Sequence, residues 1–163
     1  MVELLVASLG LLVLGAVLLT VYLTEFKALA VLRVQSEVTS TLRSALEQIG
    51  RDVRRAQATS LACGGYASPP NLLLDIEGVS NCVVYRCNPA GACTSANPGQ
   101  LELVIGANPP RLIARGVTTL VFQRDAGSPD GRWINVTIGL TQTAQGFQYT
   151  ASVGDRFNLR DLP

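Results

Sequence analysis

Two sets of residues in this chain have types and spacings that can do chemistry. One is a single acid near the start, Glu3; the other is four cysteines, Cys63, Cys82, Cys87 and Cys93. From Leu4 to Thr24 there is not one charged side chain. A carboxylate at the mouth of such an apolar run is costly unless a cation pairs with it. The cation closest to hand is an α-amino group, that of Met1 or that of another copy. The chemistry offered is therefore ion pairing. Histidine is absent, which removes the commonest general base and a common metal ligand. No glycine-rich phosphate loop and no nucleophile–base constellation appears. Neither an enzyme nor a cofactor is expected.

The cysteines all follow the apolar run, in a loop-rich region, and their number is even. That usage suits disulfides and an oxidising compartment outside the cytoplasmic membrane. Cys87 and Cys93 flank Asn88-Pro89-Ala90-Gly91-Ala92, a turn that can bring them together. The preferred pairing is Cys87 with Cys93 and Cys63 with Cys82, although four cysteines allow three pairings. A zinc site built from all four thiolates is the alternative, disfavoured because close C-x-x-C pairs are missing.

The elements that must position these residues can be read from hydrophobic period. Leu4–Leu23 is long enough, at roughly 30 Å as a helix, to span a bilayer. It lacks the basic n-region and the short core of a secretory signal peptide. After Glu25 and Lys27 the pattern becomes amphipathic. Val31, Val34, Val38, Leu42, Ala45, Leu46, Ile49, Val53 and Ala56 recur at helical spacing, with Arg33, Glu37, Arg43, Glu47, Arg51 and Arg54 mostly between them. Glu47 and Arg51 form an i,i+4 pair in the favourable order, and Gly50 weakens the helix by about 1 kcal/mol relative to Ala. One helix from about Val2 to about Leu61 is predicted, ending near Gly64-Gly65.

Beyond Ser68 the pattern is β. Strands are predicted at Leu72–Ile76, Val83–Cys87, Leu101–Ile105, Thr119–Arg124, Trp133–Leu140 and Phe147–Val153, separated by Pro-, Gly- and Asn-rich turns. Val136, Ile138 and Leu140 alternate with Asn135, Thr137 and Gly139, the signature of a sheet with one wet face. The expected fold class is α+β: one long N-terminal helix with an antiparallel sheet packed on its C-terminal half. Three regions follow: an apolar half-helix over 1–27, an amphipathic half over 28–62, and a disulfide-bearing β-rich head over 63–163.

Charge adds little. The formal net charge is +1, and Lys27 is the one lysine among thirteen basic residues, so the composition gives no case for nucleic acid as a partner. Arg51, Arg54 and Arg55 read as a solvated or inter-subunit face ahead of a nucleic-acid patch. Asp125 and Asp130 can be drawn as a calcium loop, but a Pro-Asp-Gly turn explains them more simply. Asn135-Val136-Thr137 matches a glycosylation acceptor placed inside an expected strand. Tyr66, Tyr85, Phe122, Trp133, Phe147 and Tyr149 are mostly core candidates.

Met1-Val2-Glu3-Leu4-Leu5-Val6-Ala7, followed by an apolar helix that turns amphipathic, resembles the N-terminus of type IV pilins and type II secretion pseudopilins. Leu42–Ala56, with Arg51-Asp52-Val53-Arg54, is similar to the helix end of W-type minor pilins and J-type pseudopilins. Phe157-Asn158-Leu159-Arg160, after the strands Val117–Arg124, Trp133–Leu140 and Phe147–Val153, looks like the C-terminal sheet of that group. Two departures stand out. Glu3 comes two residues early, so the expectation is either that two mature residues precede Met1 or that the start is unusual. No proline lies near Thr20–Tyr22, which leaves Gly10 and Gly15 as possible soft points.

The resemblance implies a structural subunit that polymerises through its apolar helix into an extracellular pilus-type filament. Glu3 would neutralise the N-terminal amine of an adjacent copy. The implied partners are copies of itself, the inner membrane before assembly, and pilus or secretion assembly machinery. One alternative is a minor pilin or pseudopilin that primes or tips a filament; another is a membrane-tethered binding domain that never polymerises. The residues do not choose among motility, adhesion, DNA uptake and secretion.

Overall fold

The helical period and the absence of proline from the first 68 residues leave little to interrupt a helix. In a computed structural model of the chain, α1 runs from Val2 to Arg55 as one element of 54 residues. The structure describes the backbone of residues 2–59, 62–63, 66–67, 70–76, 82–124, 132–144 and 146–159, and side chains within 8–57, 70–76, 82–124, 132–143 and 146–159.

The helix ends earlier than its sequence predicts. At Ala56 the chain changes to a strand, β1 (Ala56–Thr59), in place of the further helical turns expected as far as Leu61. β1 pairs antiparallel with β4 (Leu72–Ile76), Ala56 opposite Ile76 and Thr59 opposite Leu74. Alanines carry good helix propensity, but sheet pairing overrides such weak local preferences. Arg54 and Arg55 occupy the last helical turn, where cations complement the negative end of the helix dipole.

Two short strands, β2 (Ala62–Cys63) and β3 (Tyr66–Ala67), form a separate hairpin. The remaining strands are β5 (Val83–Asn88), β6 (Gly99–Ile105), β7 (Arg111–Arg124), β8 (Trp133–Ala144) and β9 (Phe147–Asn158). With β1 and β4 they build one seven-stranded antiparallel sheet in the order β1-β4-β5-β6-β7-β8-β9. The six strands expected from the sequence all exist. β7 runs longer than expected because its first half pairs with β6, from Arg111 opposite Leu103 to Val117 opposite Gly99, and β8 and β9 because they stay in register from Trp133 opposite Asn158 to Ala144 opposite Phe147.

Burial explains which face meets the helix. Ile134, Val136, Ile138 and Leu140 of β8 are buried, with the alternation a one-sided sheet requires. They join Val38, Leu42, Ala45, Leu46, Ile49 and Val53 of α1 and Phe157 of β9 in one core. The helix packs mainly on β8 and β9, and touches β4 and β7. A smaller cluster, Leu73, Cys82, Val84 and Val104, fills the opposite face near β4–β6. The protein is therefore α+β, a long N-terminal helix laid by its C-terminal half on an antiparallel sheet.

Candidate functional site

Among the described residues, nothing covers the first half of α1. Every described side chain from Ser8 to Leu29 is exposed. Leu9, Leu11, Leu12, Val13, Leu14, Val17, Leu18 and Leu19 stand well out of the protein, Leu11 at 76% exposure. The 22 positions make a cylinder of about 33 Å. This helix is long and apolar enough to cross a membrane, and its apolar stretch is not buried by the rest of the described chain. An isolated uncovered leucine is ordinary, whereas a continuous apolar surface of this size marks a place where something else packs.

The threonine hydroxyls on this surface are satisfied internally. Thr20 Oγ1 donates to the Val17 carbonyl and Thr24 Oγ1 to the Thr20 carbonyl, both at 2.7 Å. Each is spent on its own helix, so neither threonine presents an unsatisfied donor to an apolar neighbour. Tyr22 and Phe26 stack with centroids 6.5 Å apart. The helix continues unbroken through Gly10 and Gly15. Glu3 lies on α1, but its side chain, like Met1 as a whole, falls outside the described residues. The ion pair expected of them is not part of this geometry.

The surface begins where the head ends. Ala30, Val31 and Val34 are half-buried and Val38 is the first fully buried stripe residue. What fixes the helix to the head is a set of contacts near its end. A Cβ on Gly50 would collide with the Phe157 ring, so this glycine lets β9 close onto α1. The Arg54 guanidinium sits 5.7 Å above the same ring, within cation–π range. Between Gly50 and Arg54, Asp52 accepts a hydrogen bond at Oδ2 from the hydroxyl of Tyr85 of β5 at 2.6 Å. Burial pushes the Tyr85 phenol well above its ordinary value, and the Asp52 hydrogen bond and charge push it further. Gln48 and Arg51 act weakly in the opposite sense.

A second polar cluster sits in the sheet. Arg86 donates from Nε and Nη2 to Glu102 Oε2 at 3.0 and 2.8 Å, and Asn88 Nδ2 donates to Glu102 Oε1 at 2.7 Å. The two charged residues lie directly opposite on β5 and β6. Neither Asp52–Tyr85 nor Arg86–Glu102 is visible in the sequence, because each depends on a register that no local pattern reveals.

Cys87 and Cys93 are joined, Cα to Cα 6.1 Å apart, across the turn that contains the cis Asn88–Pro89 bond. That bond consumes two of the thiolates a four-cysteine zinc site would need. A Cβ on Gly99 would strike Cys87 Sγ and Ala92, so β6 starts on the one residue type that fits beneath the bridge. Cys82 is disulfide-bonded; the Cys63 side chain, and with it the expected Cys63–Cys82 pairing, lies outside the described residues. So does the Asp125–Asp130 loop. Asn135 lies within β8, paired on both sides, with Gln123 and Arg156 opposite, a poor place for a glycosyl acceptor. No family model, curated protein or solved structure matches the chain.

Proposed function

We propose that this protein is a type IV pilin-like filament subunit whose mechanism is assembly. The observation that carries this reading is the apolar cylinder of residues 8–29, exposed on every side and continuous with a helix that packs on the head by its second half. Before assembly the cylinder rests in the cytoplasmic membrane. It then leaves lipid for the apolar helices of other copies, a transfer in which dispersion and packing gain contacts without exposing leucines to water. Glu3 pairs with the N-terminal amine of a neighbour, which offsets the cost of a buried acid and sets axial register. The heads then line the filament surface, outside the cell.

The Leu42–Ala56 stretch favours a second reading, a minor pilin or pseudopilin that primes or tips the filament. Copy number along purified filaments separates the two: a copy at every position marks a shaft subunit, a few at one end mark a tip. The assembly mechanism is tested with Glu3→Ala. Surface material sheared from cells and sedimented is expected to lose the variant while the membrane fraction retains it. Normal filaments at normal yield would sink the mechanism. Wild-type chain found in membranes and never in sheared filaments would mark a tethered monomer.

A further inference from the structure

Four arginines converge where α1 meets the sheet. Arg51, Arg54 and Arg55 come from the last two turns of α1, and Arg111 from the first residue of β7. Together with Gln48 and Asp52 they line an open groove of about 450 Å³. Helix polarity accounts for cations at Arg54 and Arg55. It does not account for Arg111, which reaches the groove from a different element, nor for Arg51, a full turn from the end.

The charges in this groove are not balanced by its own lining. The i,i+4 pair expected of Glu47 and Arg51 is not formed: between described residues the one ion pair is Arg86–Glu102, elsewhere in the sheet. The groove contains a single carboxylate, Asp52, and its Oδ2 is engaged by the Tyr85 hydroxyl. Four guanidiniums with one carboxylate leave a strong positive excess, and like charges held together repel. Arg51, Arg54, Arg55 and Arg111 are all exposed, so a ligand reaches them without rearrangement of the core.

We infer that this groove is a binding site for a polyvalent phosphate anion. A planar carboxylate offers two oxygens and one charge. A phosphoryl group offers three oxygens and up to two charges, which several planar guanidinium forks can share. The groove has no aromatic or aliphatic residue in its lining, so recognition falls on the phosphoryl groups and not on an attached base or acyl chain. Two sources share this chemistry, a soluble phosphate chain and a lipid headgroup. Arg51 lies 22 positions beyond Leu29, about 33 Å along the helix, out of reach of a bilayer that surrounds residues 8–29. The geometry thus favours the soluble source. A second copy is a poor fit, since the exposed described acids Glu25, Glu37, Glu47, Asp75 and Asp155 are scattered. The site stands whether or not the chains polymerise.

The test is calorimetric titration of the full chain, in non-ionic detergent micelles at low salt, with sodium tripolyphosphate. Saturable binding at one site per chain is expected. Arg55→Gln and Arg111→Gln are each expected to weaken it at least about tenfold, the scale of a charge-assisted contact. Arg115→Gln, exposed on the same strand but outside the groove, should change it by less than about twofold. Absence of saturable binding, or equal weakening by Arg115→Gln and Arg111→Gln, overturns the site. A parallel titration with short-chain phosphatidylglycerol separates the sources. Tighter binding of that lipid than of tripolyphosphate, lost in the same two variants, overturns the soluble assignment.

Discussion

The two halves of α1 share one backbone and almost nothing else. From Ser8 to Leu29 the helix is apolar nearly all round, with Glu25 and Lys27 its only charges, and no described side chain of it is buried. From Val34 to Arg55 it is amphipathic and buries one stripe against β8 and β9. In the second half the hydrophobic effect is already satisfied inside the molecule. In the first it is left unsatisfied, and with it a drive to associate. The difference shows that hydrophobicity alone does not mark a core. What marks one is a stripe with a partner, and the full cylinder of leucine and valine has none among the described residues.

Matched substitutions test that contrast, beginning with the largest effect. Ile49→Ala removes a side chain that is 0% exposed and is expected to destabilise the head by about 2–5 kcal/mol. Leu18→Ala, at 64% exposure, should leave head stability within about 0.5 kcal/mol while lowering the yield of sedimentable filaments. Urea unfolding of the full chain in micelles, followed by near-UV circular dichroism, reads the first quantity. A Leu18 variant that unfolds the head as readily as the Ile49 variant breaks the division between the halves.

The glycines give the next contrast. A methyl group added at Gly15 would have no neighbour within 4 Å, whereas one added at Gly50 would meet the Phe157 ring. Gly15→Ala should therefore gain helix stability of up to about 1 kcal/mol. Gly50→Ala gains the same propensity but must displace Phe157, for a net loss of about 1–3 kcal/mol. The same unfolding assay, with helicity read separately in the far ultraviolet, distinguishes them. Equal signs at the two positions would mean that Phe157 does not close on the helix.

Smallest is Tyr85→Phe, with an expected cost of about 1 kcal/mol at neutral pH from loss of the Asp52 hydrogen bond. Its more specific mark is alkaline. The folded Tyr85 holds its proton more tightly than the unfolded one. Its contribution is therefore complete below the ordinary tyrosine value, near 10, and is lost progressively as pH climbs past it. The Phe variant should show a flatter decline of stability above about pH 10. An unchanged alkaline limb would separate Tyr85 from the junction.

Much of this arrangement is written in hydrophobic period. The stripe from Val38 to Val53 and the alternation of Val136, Ile138 and Leu140 each report burial directly, because side-chain direction follows fixed geometry. The helix end is not legible. Ala56-Gln57-Ala58-Thr59 has no strong strand signal, and its conformation is decided by β4, a partner farther along the chain. Arg111–Gly116 is hidden as a strand for a similar reason: Arg115 and Gly116 break the alternation, while β6 pairs across it with two irregularities. The apolar cylinder is legible as a candidate assembly element. The groove of four arginines is not, since Arg111 joins the other three only through tertiary packing.

The order of strands has a consequence for how the head is made. From β4 onward each strand bonds to its neighbours in the chain, so every hairpin closes a short loop. The contacts between α1 and β9, by contrast, close the whole head in a single loop, with Gly50 at one side and Phe157 at the other. Short closures are fast, and long ones carry the larger entropic cost before any contact rewards them. The meander needs only local closures, while the stripe from Val38 to Val53 takes its cover mainly from β8 and β9, far along the chain. The two halves of the helix thus differ through cover that strands far along the chain supply to one of them.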